Sequence, residues 1–117
     1  ALAYLGDAVW ELEVRRFLVT SGICKSAELN KKALSFVTAA AQCDAFEKIE
    51  SSLTEDELSV YHRGRNHKIE SHPKSVSACQ YKMATGLEVL FAWLYLEGRT
   101  DRIELLFKKA FINENIN

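Results

Sequence analysis

The sequence predicts a single all-α domain. Residues 1–20 and 77–97 carry apolar side chains on most faces of a helix, which is typical of helices at the centre of a bundle. Shorter segments with helical apolar spacing surround them, and no stretch alternates apolar and polar residues as a strand does. The chain has 117 residues, 48% of them hydrophobic, which is enough to bury one core.

Capping residues and glycines predict the first helices. The first central helix covers residues 1–20 and ends before Gly22, a residue type common just after helices. Ser26 is predicted to cap a short helix that reaches about Leu34, because its hydroxyl can accept a hydrogen bond from the first turn. A further apolar run predicts a helix over residues 35–50.

The second half of the chain contains clearer signals. Thr54 opens a capping-box pattern for a helix that extends toward Arg63. Residues 64–77 lose helical spacing and predict a loop, which is followed by the second central helix. Gly98 is predicted to end that helix, and Thr100 to cap the last one. We expect the polar tail from Asn113 to fray.

Composition argues against several classes of protein. No apolar run is long enough to span a bilayer and no signal peptide is visible, so we expect no membrane partner. Three widely spaced cysteines favour free thiols in a cytoplasmic protein. The chain begins at Ala1 inside a helical pattern, so we expect its N-terminus to be incomplete. A glycine-rich phosphate loop is absent, and no nucleotide cofactor is expected.

Two carboxylates stand out because each is a lone charge in a predicted central helix. Asp7 is the only charged residue among the first ten, and Glu88 is the only one between Met83 and Leu96. Burying a carboxylate is costly unless it is paired, hydrogen-bonded or bound to a metal. The pattern therefore leaves two interpretations open, a structural ion pair and a metal site.

Oxygen ligands of this kind favour a hard cation such as Mg²⁺ or Mn²⁺. Two carboxylates from separate helices would be sufficient for hydrolysis of a phosphodiester by activated water. Glu11 lies one helical turn after Asp7 and points the same way. It is a candidate for an outer-shell role, but it can also simply pair with Arg15, one turn further.

A basic strip extends from Tyr61 to Lys82, where five basic residues face one acid in a chain of net charge −1. Positive charge at a helix end can simply complement the helix dipole. However, Gly64 would let a ligand approach the backbone, and Asn66 adds an uncharged hydrogen-bonding group. Phosphate contacts are a natural use of such a strip. The residues predicted to contact a nucleic-acid backbone are Arg63, Arg65, Asn66, Lys68, Lys74 and Lys82.

Three motifs resemble the ribonuclease III family. Residues 3–9, Ala-Tyr-Leu-Gly-Asp-Ala-Val, resemble the signature whose aspartate binds the catalytic metal. Residues 84–90, Ala-Thr-Gly-Leu-Glu-Val-Leu, resemble the second acidic motif, whose glutamate is the other ligand. Residues 63–66, Arg-Gly-Arg-Asn, resemble the Mini-ribonuclease III branch, which lacks a double-stranded-RNA-binding domain. The resemblance spans essentially the whole chain and implies one catalytic domain over residues 1–117.

The resemblance implies a helical bundle that forms a homodimer and cuts double-stranded RNA. It implies that Asp7 and Glu88 are catalytic and bind Mg²⁺, for which Mn²⁺ can substitute. Each site would cut one strand and leave a 5′-phosphate and a 3′-hydroxyl. The Mini-ribonuclease III branch is associated with maturation of bacterial large-subunit (23S) ribosomal RNA, so its precursor is the expected substrate.

The sequence departs from the wider family at two of its four acidic positions. Ala3 stands one turn before the aspartate, and Thr85 stands three residues before the glutamate. Thr85 and Glu11 are therefore left as possible outer-shell residues, and the site could hold one metal or two. Two alternatives remain open: a catalytically inactive double-stranded-RNA-binding dimer, and a purely structural helical dimer.

Overall fold

Helices account for nearly all of the described chain. The structure, a computed structural model, describes residues 1–67 and 76–111. Its helices are α1 (Leu2–Thr20), α2 (Ser26–Val37), α3 (Ala39–Ile49), α4 (Glu55–Arg65), α5 (Ala78–Leu96) and α6 (Thr100–Phe111), with a 3-10 turn at Glu50–Ser52. The described residues contain no β-strand, which confirms the all-α prediction. None of these helices is long and apolar enough to cross a membrane.

Helix α5 lies at the centre of the bundle, where it contacts α1, α3, α4 and α6. Its Leu90 and Leu94 side chains are fully buried. The indole of Trp10 in α1 packs against Phe91 with ring centroids 5.0 Å apart, and its Nε1 donates a hydrogen bond to the Phe36 carbonyl oxygen at 2.9 Å. These contacts satisfy a buried polar group and hold α1 and α2 in place relative to α5.

Glycines allow α5 to approach two neighbouring helices closely. A Cβ atom on Gly6 of α1 would overlap the main-chain carbonyl of Glu88, so the two backbones are in contact at this crossing. Gly64 of α4 is buried, and a Cβ atom there would meet Val89 of α5 at 2.7 Å. The missing side chain of Gly64 therefore makes room for α5, a packing role that the sequence analysis did not predict.

Several predicted helix ends are confirmed. Gly22 and Gly98 follow α1 and α5 with φ angles of 96° and 74°, values that favour glycine. The Thr54 hydroxyl accepts a hydrogen bond from the Glu57 amide at 3.1 Å, and the Glu57 carboxylate accepts one from the Thr54 amide at 2.9 Å. Both bonds of the predicted capping box are thus present.

Other helix boundaries differ from the predictions. Ser26 is the first residue of α2 rather than its cap, and α2 continues to Val37. Helix α3 begins after Thr38, whose hydroxyl accepts a hydrogen bond from the Ala41 amide at 3.1 Å. An extended backbone at Thr38 separates the two helices, so a break occurs inside a run that apolar spacing alone treats as continuous.

The second half shows smaller differences. Helix α4 extends two residues beyond Arg63, into the segment predicted as a loop, and Thr100 is the first residue of α6 rather than its cap. The rest of the predicted loop is described only for residues 66, 67, 76 and 77. Asn113, where the tail was expected to fray, lies outside the described residues.

A buried ion pair joins α4 to α6. The Arg102 guanidinium donates to both carboxylate oxygens of Glu57, at 2.7 and 2.8 Å, and also to the Ser52 carbonyl oxygen at 2.8 Å. Burial alone would raise the pKa of Glu57, but hydrogen bonds from Arg102 and the Thr54 amide outweigh it and lower the pKa below its ordinary value. The capping box and the ion pair therefore share one carboxylate.

Candidate active site

The two lone carboxylates meet where α1 crosses α5. The negative charge of Asp7 raises the pKa of Glu88, so the two carboxylates lie within electrostatic reach of each other. Both line a depression of about 550 Å³ formed mainly by α1, α3 and α5. We call it the acidic depression, and the polar side chains that line it are Tyr4, Asp7, Gln42, His67, Tyr81, Thr85 and Glu88.

Asp7 and Glu88 differ in exposure. Glu88 is half-buried, whereas Asp7 is exposed. The expectation of a buried environment is therefore wrong for Asp7, although its helix is largely apolar. The reason is that α1 is not covered on all sides: Leu2 is 40% exposed and Tyr4 is 88% exposed on the same end of the helix.

The electrostatics of the site are dominated by the proximity of the two acids. Burial, and then the negative charge of Asp7, raise the pKa of Glu88 from its ordinary value of 4.5 to about 7. The Gln42 side-chain amide acts in the opposite direction, since its Nε2 donates a hydrogen bond to Glu88 Oε2 at 3.4 Å. Two carboxylates at this separation need a proton or a cation between them.

The donor set fits a hard divalent cation. Within the described residues, neither Asp7 nor Glu88 forms an ion pair, which disfavours the structural interpretation of these acids. No group of three or more His, Cys, Asp and Glu side chains in those residues could hold a metal. Mg²⁺ needs only one or two carboxylates because it retains several waters. The pair therefore suits Mg²⁺ or Mn²⁺ better than zinc.

The two residues predicted to be in an outer shell lie in different places. Thr85 lines the acidic depression, and its hydroxyl donates a hydrogen bond to the Tyr81 carbonyl oxygen at 2.9 Å. Glu11 instead forms an ion pair with Arg15, whose Nη2 lies 3.7 Å from Glu11 Oε1, and it lines a separate groove between α1 and α2. This geometry favours the alternative reading of Glu11 as an ion-pair partner.

Two described residues of the basic strip, Arg63 and His67, lie beside or within the acidic depression. Arg63 is exposed and lines an adjoining groove of about 450 Å³, together with Leu2, Val89 and Trp93. His67 lines both this groove and the acidic depression, so the two are continuous. Arg63 therefore lies in a groove that adjoins the depression containing the two acids.

The other predicted RNA-binding residues are more dispersed. Arg65 Nε donates a hydrogen bond to the exposed Asn66 Oδ1 at 3.2 Å, at the end of α4. Lys82 is half-buried on α5 and does not line the acidic depression. Lys68 and Lys74 lie outside the described residues.

Gln42 and His67 are site residues that the sequence analysis did not select. Gln42 is 2% exposed and lies on the face of α3 that also buries Ala45, Phe46 and Ile49. A polar residue at a core position of an amphipathic helix was the available signal. His67 had no such signal, because its position depends on how the end of α4 lies beside α1.

Comparison with known proteins identifies the family. The model of the ribonuclease III domain family matches residues 1–99. A Mini-ribonuclease 3 from Desulfitobacterium hafniense is 44% identical over 97% of this chain and 73% of its own length. A Mini-ribonuclease 3-like protein from Ilyobacter polytropus is 44% identical over 92% of this chain and 84% of its own length.

A solved structure agrees with the sequence relatives. The crystal structure of protein FN1578 from Fusobacterium nucleatum superposes with a TM-score of 0.82 at 34% sequence identity. The match covers 92% of this chain and 85% of the other. The chain therefore belongs to the ribonuclease III family, in its Mini-ribonuclease III branch, and is an endoribonuclease.

Proposed function

We propose that Asp7 and Glu88 together hold the divalent cation with which this endoribonuclease hydrolyses double-stranded RNA. The observation that carries the proposal is the close approach of two carboxylates in an open depression, with no cationic side chain of the described residues paired to them. Mg²⁺ is the proposed metal, and Mn²⁺ can replace it, because both prefer oxygen ligands.

The arrangement gives the two acids different tasks. The exposed Asp7 is accessible to both solvent and substrate, whereas the half-buried Glu88 is held against α3 by Gln42. When bound, the cation neutralises charge on the phosphodiester and makes water a better nucleophile at neutral pH. In-line attack at phosphorus would leave a 5′-phosphate and a 3′-hydroxyl on the products.

The substrate proposal extends to the surface around the site. Arg63 and Arg65, with Asn66, would contact the RNA backbone beside the acidic depression, and Lys82 would add charge on α5. A-form RNA is recognised mainly through its shape, its phosphates and its 2′-hydroxyls, which suits a site without a base-reading element. Lys68 and Lys74 complete the proposed set. We propose the precursor of 23S ribosomal RNA, in the cytoplasm, as the natural substrate.

A second copy of the chain would supply the other half of the RNA-binding surface. Tyr4 is 88% exposed and Leu2 is 40% exposed on the same end of α1, and Leu2 lines a groove with the apolar side chains of Val89 and Trp93. Apolar surface of this kind is typical of an interface between subunits. A two-fold dimer would place two acidic depressions along one duplex, so that each cuts one strand.

Cleavage by active-site variants tests the proposed metal site. Asp7→Asn and Glu88→Gln should each abolish Mg²⁺-dependent cutting of a long RNA duplex, while circular dichroism shows the same helix content as the parent. Binding to the duplex in EDTA should persist, because the acids do not attract phosphate. Full cleavage by both variants would overturn the proposal, and binding without cleavage by the parent protein would favour the inactive-dimer alternative.

The proposed dimer has a separate test. Tyr4→Asp should place a charge within the interface and shift the protein from dimer to monomer in sedimentation equilibrium. Leu105→Asp, on the exposed face of α6, provides the control for a new surface charge. If Tyr4→Asp has the same mass in solution as the parent, this face is not the interface.

A further inference from the structure

Three polar or charged side chains are buried in the described part of the chain: Glu13, Gln42 and Glu57. Two of them have evident structural partners. Glu13 accepts two hydrogen bonds from Arg16, and Glu57 is held by Arg102 and by the capping box. Gln42 differs, because the one side-chain hydrogen bond that it makes with the described residues goes to Glu88.

Burying an amide is costly unless its polar atoms are hydrogen-bonded. The core positions around Gln42 are apolar, and a leucine of similar size would fill the same space without that cost. A side chain that is 2% exposed and bonded to one acid of the depression is therefore better explained by its effect on that acid.

We propose that Gln42 is a positioning residue that holds the Glu88 carboxylate in the orientation required to bind the cation. This inference rests on the proposed function of Asp7 and Glu88. Gln42 lies in the first turn of α3, where the Thr38 side chain caps the helix and the Gln42 amide donates a hydrogen bond to the Thr38 carbonyl oxygen at 3.0 Å. With Nε2 bonded to Oε2, rotation of the Glu88 carboxylate is restricted.

The uncharged nature of the amide is important for this role. A lysine or arginine at this position would neutralise Glu88 and compete with the cation, whereas an amide donates a hydrogen bond and leaves the negative charge in place. Ala3 and Thr85 line the same depression and neither is ionisable, so they supply no further carboxylate beside Glu88. Gln42 therefore acts from a third helix on a site whose carboxylates come from α1 and α5.

The inference is tested by measuring metal binding directly. Gln42→Leu removes the donor and retains the volume, and Mn²⁺ titration followed by electron paramagnetic resonance gives the affinity without RNA. We expect affinity to fall by about 10-fold to 100-fold, the usual effect of losing a hydrogen bond to a metal ligand. In cleavage assays the Mg²⁺ concentration at half-maximal rate should rise by a similar factor, while KM for RNA at saturating Mg²⁺ changes little.

Cys43→Ala is the matched control. Cys43 is the next buried residue of α3, and its thiol donates a hydrogen bond to the Gln80 carbonyl oxygen at 3.3 Å, away from the acids. The Cys43→Ala substitution should reduce the stability of the protein and leave its Mn²⁺ affinity unchanged. If Gln42→Leu does not fold, Gln42→Met, a more flexible side chain of similar length, is judged by the same criterion.

The outcomes separate this inference from the proposed function. Parent-like Mn²⁺ affinity in a folded Gln42 variant overturns the positioning role while Asp7 and Glu88 remain the metal site. An equal loss of affinity in Cys43→Ala overturns it as well, since the effect would then reflect general loosening of α3. Absence of Mn²⁺ binding by the parent protein would instead reject the metal site itself.

Discussion

Gly6 of α1 lies directly against the main-chain carbonyl of Glu88 in α5. Asp7 follows Gly6 in the chain, so this one contact determines how closely the two acids approach. The neighbouring atoms belong to the backbone of a central helix and cannot move aside as a flexible side chain would. The spacing of the two carboxylates is thus set by the absence of a side chain.

Replacement of Gly6 by alanine should therefore disturb both folding and activity. A methyl group would force α1 away from α5, and overpacking of this kind typically costs about 1–3 kcal/mol. In urea denaturation we expect the free energy of unfolding to fall by an amount at or above the upper end of that range. Mn²⁺ should also bind more weakly. Gly98→Ala, which has open space around it but a φ of 74°, should cost about 1 kcal/mol and leave metal binding unchanged. Parent-like stability in Gly6→Ala would show that the crossing can widen freely.

Glu88 should destabilise the metal-free protein above neutral pH. Its folded pKa of about 7 lies above the ordinary 4.5, so the folded state holds the proton more tightly than the unfolded state does. The resulting stability is fully present below pH 4.5 and is lost as pH rises through 7. The shift between these pKa values corresponds to an upper limit of about 3.4 kcal/mol of stability, which the solvent that reaches this half-buried side chain reduces.

Glu88→Gln tests this directly, because glutamine resembles the protonated acid at every pH. In EDTA the stability of the variant relative to the parent should be clearly greater at pH 8 than at pH 5, as measured by urea denaturation. Glu97→Gln, at the exposed end of α5, controls for the loss of one negative charge. A stability difference that stays constant between pH 5 and pH 8 would contradict the raised pKa.

Sequence reasoning predicted the architecture well, because its signals are local. Glycines after α1 and α5 and the capping box at Thr54 each act within one helical turn, and all three are confirmed. The exposure of Asp7 and the packing role of Gly64 were missed. Both depend on which helix lies opposite, and spacing along one helix does not contain that information.

The same distinction applies to the site. Asp7 and Glu88 were noticeable as lone charges, and the structure brings them together. Gln42 was overlooked because a single polar residue in a helix is usually exposed, and its partner is 46 residues away. Lone polar residues at core spacing therefore merit the same attention as lone charges.

The basic strip should contribute affinity for RNA without contributing metal binding. Arg63→Gln with Arg65→Gln removes two charges from the last turn of α4, so duplex RNA should bind less tightly in EDTA. Each lost phosphate contact lowers the slope of log affinity against log salt by roughly 1, which gives a reduction of up to about 2. Filter binding at salt concentrations from about 50 to about 200 mM measures this slope.

A matched control removes the same charge elsewhere. Arg15→Gln with Lys31→Gln alters two exposed cations that line the groove between α1 and α2. This pair should leave the salt dependence close to that of the parent. An equal effect of the two double variants would mean that only net charge matters and that the strip has no special role.

Arg102 should contribute more to stability than any exposed ion pair of the described residues. Its guanidinium and the Glu57 carboxylate are both largely buried, and Arg102→Met would leave Glu57 without its cation and the Ser52 carbonyl without a donor. Breaking a buried pair typically costs about 3–5 kcal/mol, whereas an exposed pair contributes about 0–1 kcal/mol. Arg15→Met, which breaks the exposed pair with Glu11, is the control. In urea denaturation at pH 7, the free energies of unfolding of the two variants should differ by at least about 2 kcal/mol. Similar urea midpoints for Arg102→Met and Arg15→Met would show that the capping box alone holds Glu57.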